Sequence, residues 1–141
     1  MPDTNWNLAY SVVQTPSGEL DVIISYLAGE WPDETRKKWR KLSFLGLILK
    51  DDSSYESDSI DLVEERIVSE LSVGDNGVLL AKKMFLGERV MTEFMIYSAP
   101  SFDTNTLFQE IVEKFPEYER KTAFDIDRYW TIYDKLIDQV A

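Results

Sequence analysis

The residue types here that could do chemistry are carboxylates. Asp51, Asp52, Glu56, Asp58, Asp61, Glu64 and Glu65 make the densest acidic run of the chain, with Tyr55 inside it. Such a surface can stand in for a ladder of phosphates and occupy the basic groove of a nuclease, its field raising the rate of encounter. The same acids also suit a solvated helix face, where they complement the positive end of the helix dipole. They lack the central glycine and the spacing of a calcium loop. A second pair, Asp125 and Asp127, falls on one face if a single strand carries both, and two such groups can hold magnesium or divide acid and base work. No phosphate-binding glycine loop or nucleophile motif accompanies that pair, and Asp127 equally suits the cap of a following helix.

The 141 residues contain neither Cys nor His. That removes disulfides, thiolate or imidazole zinc sites, His-dependent nucleophilic triads and haem ligation by either residue, and no cofactor is expected. Fifteen Lys and Arg against 26 Asp and Glu leave a net charge of −11. A field of that sign repels nucleic acid and acidic membranes and favours a basic protein as partner. The one concentration of positive charge is Arg36-Lys37-Lys38-Trp39-Arg40-Lys41. Cations around an aromatic can grip phosphates and stack a base. On so acidic a chain, a charged strand edge that blocks aggregation is the expected reading, and no direct nucleic-acid binding is expected. Trp31, in Gly29-Glu30-Trp31-Pro32-Asp33, sits among charges in a loop pattern and is a candidate interface anchor, or else a plug folded onto a sheet.

These residues need elements to hold them. The length fits a single domain, 1–141, and neither a basic, apolar leader nor a bilayer-length apolar run appears, so a cytoplasmic protein is expected. Trp6 to Gln14 and Leu20 to Leu27 flank Thr15-Pro16-Ser17-Gly18 and predict a hairpin. Trp39 to Leu49, with its run Phe44-Leu45-Gly46-Leu47-Ile48-Leu49, predicts a buried central strand. The polar stretch Lys50 to Asp61 predicts a loop, and Ile60, Val63, Ile67 and Leu71 predict a helix capped by Asp58 or Ser59 and stopped at Gly74 with Asn76-Gly77. Val78 to Leu86 and Arg89 to Ser98 form a second hairpin pattern. Asp103 or Thr104 then opens a helix with its stripe at Leu107, Phe108, Ile111, Val112 and Phe115. A strand from Tyr118 to Asp125 follows, and Trp130, Tyr133, Leu136 and Ile137 mark a closing helix whose aromatics should dock on the sheet.

From Trp39 onward the order is strand, helix, strand, strand, helix, strand. The expected fold is therefore an α+β two-layer sandwich with a ferredoxin-like βαββαβ core, an N-terminal β-hairpin and a C-terminal helix. Right-handed crossovers put both inner helices on one face and leave the other to the hairpin, the tail or a partner, a second copy of the domain included.

Three stretches carry a family resemblance: Asn5-Trp6-Asn7-Leu8-Ala9-Tyr10, Gly87-Glu88-Arg89 leading into Glu93-Phe94-Met95-Ile96-Tyr97, and Asp127-Arg128-Tyr129-Trp130-Thr131-Ile132-Tyr133-Asp134-Lys135-Leu136. With the order of elements, they resemble a bacterial family of small proteins, the domain of unknown function six-nine-five, associated with the regulator of ribonuclease activity B, an inhibitor of ribonuclease E. The resemblance implies an α+β sandwich, no agreed activity, and nuclease inhibition as a neighbouring precedent. It departs over Trp31 to Lys41 and the acidic loop. The expectation from the residues is a non-enzymatic acidic binding protein, most concretely an immunity protein that neutralises a bacterial toxin of nuclease type by covering its basic active site. The partner-binding candidates are Asp51, Asp52, Tyr55, Glu56, Asp58, Asp61, Glu64, Glu65 and Trp31. The alternatives are a regulatory inhibitor of a housekeeping ribonuclease and a carboxylate–metal enzyme using Asp125 and Asp127.

Overall fold

The computed structural model describes residues 7–14, 20–27, 33–50, 57–86, 90–127 and 130–140. In chain order these form β1 (Asn7–Gln14), β2 (Leu20–Leu27), α1 (Asp33–Lys38), β3 (Lys41–Leu49), α2 (Ser57–Ser72), β4 (Gly77–Leu86), β5 (Val90–Ser98), α3 (Thr104–Lys114), β6 (Tyr118–Ile126) and α4 (Thr131–Val140). The strands make one antiparallel sheet in the order β1-β2-β4-β5-β3-β6. The protein is thus α+β, with an open antiparallel sheet covered by helices. No helix among the described residues is long and apolar enough to cross a membrane.

Alternation along β3 explains its continuous apolar run. Leu45, Leu47 and Leu49 point into one cluster with Ile60, Val63, Ile67 and Leu71 of α2 and Leu107, Phe108 and Ile111 of α3. Leu42 and Phe44 point the opposite way, into a second cluster with Trp39, Met95, Tyr97, Trp130 and Tyr133. A strand buried on both faces has no polar side to show. Burying each such aliphatic side chain contributes about 1.5–3 kcal/mol, which is why the stripes of α2 and α3 are so regular. In β4 a bulge between Leu79 and Ala81 shifts the register, so Leu79 serves the first cluster while both Leu80 and Ala81 serve the second.

The ends of α2 and α3 follow from local chemistry. Gly74 adopts φ 73° and Asp75 φ 55°, which turns the chain back so that the Asn76 amide donates to Leu71 O at 2.9 Å. At Gly77, where β4 begins, a Cβ would come within 2.5 Å of the Tyr97 carbonyl oxygen, so only glycine lets the two strands approach there. Asp103 caps α3, its carboxylate accepting from the Thr106 amide at 3.1 Å.

The structure corrects several expectations. The helix begins at Ser57, so Asp58 and Ser59 lie within its first turn and not ahead of it. Ser59 is buried and shares a 2.9 Å hydrogen bond with the Tyr118 hydroxyl, a tertiary role that local propensity does not show. The basic run does not form a strand edge: Arg36, Lys37 and Lys38 end the short helix α1. The N-terminal hairpin extends the sheet beside β4 instead of covering a face. The face opposite α2 and α3 receives the tail helix through Trp130 and Tyr133, as their spacing predicts. The predicted turn at 15–18 lies outside the described residues, as do residues 51–56 of the predicted loop Lys50 to Asp61, whose last five residues belong to α2 instead.

Candidate functional site

Of the acids singled out by sequence, Asp61 and Glu65 stand exposed one helical turn apart on the outer ridge of α2. Leu62 lies beside them, 52% exposed because the buried positions 60, 63, 67 and 71 leave it off the apolar stripe. One turn beyond Leu62, Arg66 reaches across to α3 and donates to Glu110 at 2.8 Å, while also pairing with Glu70 at 3.3 Å. Glu110 and Glu113 occupy the exposed side of α3. The two helices therefore present one acidic face with an apolar side chain on it, tied together by Arg66. Sequence reasoning missed Glu110, Glu113 and Leu62. Their signal was the helical period itself, which sets them opposite or beside the buried stripes.

Glu64 does not belong to this face. It is half-buried and accepts from Lys82 of β4 at 2.6 Å, a contact that settles a lysine only 9% exposed. Its role is to keep a cation compatible with the core boundary. The side chain of Asp58 and all of Asp51, Asp52, Tyr55, Glu56 and Trp31 lie outside the described residues.

Most of the basic run is engaged within the fold. Arg36 pairs with Asp134 at 2.9 Å and lies 5.4 Å from the Trp130 ring centroid. Lys38 pairs with Asp75 and sits over Trp39. Arg40 donates to Lys37 O at 2.7 Å and Lys41 to Phe102 O at 2.9 Å. Trp39 is 5% exposed, so its ring cannot stack on a base.

Asp125 and Asp127 do not form a pair either. The Asp125 carboxylate accepts the Ile126 amide at 2.8 Å at the exposed sheet edge. Asp127 turns inward and accepts from the Thr131 and Ile132 amides, both at 2.9 Å, and from the Tyr97 hydroxyl at 2.8 Å. It is the cap of α4. Burial, then this hydrogen bond, hold the Tyr97 hydroxyl far above the usual phenol range, so it acts as a neutral donor. Among the described residues no group of three or more potential metal ligands gathers.

Beside α4 a groove of about 240 Å³ opens on the second face of the sheet, lined by Phe44, Ala81, Lys83, Glu93, Met95, Ile132 and Lys135. Burial pushes the Glu93 carboxyl up from its usual range, against the opposing pull of Lys83, its cross-strand neighbour, and of Lys121. A carboxylate whose folded pKa is raised costs stability once pH climbs past its unfolded value. Glu93→Gln is therefore expected to melt higher than wild type near neutral pH. The advantage should disappear below about pH 4, where Glu93 is protonated in both states. Thermal melts across that range check this, and a variant less stable at neutral pH would show that the lysines outweigh desolvation.

Searches of protein-family models, of curated proteins and of solved structures found nothing that matches this chain.

Proposed function

We propose that this protein is a non-enzymatic binding protein that engages a basic protein partner through the outer face of α2 and α3, most concretely as an immunity protein that covers the substrate groove of a nuclease toxin. The observation that carries the reading is the exposed set Asp61, Glu65, Glu110 and Glu113 around the exposed Leu62. Acids on such a face would meet the Lys and Arg that hold a nuclease's substrate, and Leu62 would supply an apolar contact at the centre. The core reads as ferredoxin-like: β3-α2-β4-β5-α3-β6 with sheet order β4-β5-β3-β6 supports it, as does the packing of both crossover helices into one cluster.

The test is co-expression with the product of the adjacent open reading frame, scored by growth rescue and by association kinetics of the purified pair. Reversing Asp61, Glu65 and Glu113 to Lys is expected to slow association about tenfold or more at low salt and to flatten its salt dependence, with little change in melting temperature. Glu64→Gln is the internal control: it should cost about 1–2 kcal/mol of stability and leave association unchanged. No rescue by wild type, or rescue that survives the triple reversal, would overturn the proposal. Restraint of a ribonuclease, for which the sequence resemblance offers a neighbouring precedent, is separated from immunity by which protein is bound.

A further inference from the structure

β6 ends the sheet, with no strand beyond it among the described residues, and every β6 residue after Tyr118 is exposed. The direction of its backbone groups can be fixed. At one end Lys50 N donates to Glu117 O at 3.0 Å, and at the other Asp127 N donates to Arg40 O at 2.7 Å. The register between these bonds is unbroken. Antiparallel neighbours alternate between residues that exchange backbone bonds and residues whose N–H and C=O point away. The odd-numbered residues of β6 therefore bond β3, and Arg120, Thr122, Phe124 and Ile126 direct theirs outward. The same four side chains lie on the α2 and α3 side of the sheet, where Phe124 is 42% and Ile126 59% exposed. Lys121, Ala123 and Asp125 lie on the other side.

We propose that β6 pairs antiparallel with β6 of a second copy of this chain, with Ala123 on the two-fold axis, so that two sheets join edge to edge. Backbone bonding requires outward-facing residues to oppose outward-facing residues, so the axis must pass through a residue and not between two. Charge then chooses the residue. An axis at Arg120 or Lys121 sets a cation against its own copy, and one at Thr122 sets Glu119 against the partner's Asp125. An axis at Phe124 places Asp125 opposite the partner's Ala123, with no charge to meet. At Ala123, Lys121 opposes the partner's Asp125, and symmetry makes the pair twice; Glu119 then falls opposite the partner's Asp127, which lies past the end of β6 and is buried. The closer, non-hydrogen-bonded geometry of those positions favours side-chain contact. Thr122 then opposes the partner's Phe124, and the aliphatic stem of Arg120 covers the partner's Ile126. The Ile126 amide is already taken by Asp125 Oδ1, which closes the ladder at that residue and leaves Oδ2 for the incoming lysine.

Sedimentation and light scattering of the full chain across micromolar to submillimolar concentration test this. A dimer is expected. Lys121→Asp or Asp125→Lys alone, which sets like charges opposite each other at both positions, should weaken it about tenfold or more, and the double exchange should restore it. Thr122→Pro, which deletes only an outward N–H, should give a monomer with an unchanged circular dichroism spectrum. A wild-type monomer at every concentration, a dimer indifferent to these variants, or a double exchange as weak as the singles would overturn the proposal.

Discussion

Trp130→Ala is expected to cost about 3–5 kcal/mol, enough to unfold a large fraction of a domain of ordinary stability. Trp130 is fully buried, stacks on Tyr97 with ring centroids 4.5 Å apart and meets Tyr133 edge-on at 6.2 Å. Its indole N–H donates to Trp39 O at 2.7 Å, and the Arg36 guanidinium covers the ring. Truncation removes the side chain that joins α1, the second face of the sheet and the start of α4. It also opens a cavity that rigid strands cannot close. Trp130 holds φ 56°, a left-handed conformation that a non-glycine residue adopts only under constraint. Trp130→Gly should thus be up to about 1 kcal/mol less damaging than Trp130→Ala, even though it removes one more carbon. Denaturant unfolding of the two variants measures both quantities. A loss below about 1.5 kcal/mol for Trp130→Ala would mean that α4 is an ornament on the sheet and not part of its core.

How far the sequence discloses this arrangement depends on the range of the interaction concerned. The stripes of α2 and α3 and the alternation of the second hairpin are local patterns, and each element lies within a few residues of its predicted bounds. α1 has six residues and no apolar period, too short to be a helix by itself. It is held by Arg36 on Asp134, a contact 98 residues distant in sequence. The candidate site divides along the same line. Asp61 and Glu65 are legible as an exposed helical pair. Glu64 looks identical in sequence, and only the pairing of β4 beneath α2 brings Lys82 to it. Glu110 joins the face through Arg66, 44 residues away, and no window on either helix contains both. Net charge of −11 suggests a surface, but which acids compose it is set by the helix packing.

Asp127→Ala is expected to cost about 3–4 kcal/mol, for two reasons that can be measured apart. The first is the cap. Two α4 amides, of Thr131 and Ile132, lose a charged acceptor at 2.9 Å, worth about 1–2 kcal/mol. The second is the Tyr97 hydroxyl, buried on the sheet, which loses the acceptor of its proton at a cost of about 1–3 kcal/mol. Tyr97→Phe in the Asp127→Ala background removes that orphaned hydroxyl and should recover part of the loss. The remainder is the cap together with the Tyr133 amide, which donates to the Tyr97 hydroxyl at 3.3 Å and loses that acceptor in the double variant. An equal loss in single and double variants would place the whole effect in the helix terminus. The same pair of variants decides the metal reading, because a carboxylate saturated by two amides and a hydroxyl has little capacity left for a divalent cation. Magnesium or manganese should leave the wild-type melting temperature unchanged, since a ligand stabilises a fold only in proportion to its binding. A metal-dependent rise in wild type that Asp127→Ala abolishes would return Asp127 to the role of ligand and reopen catalysis at this end of the sheet.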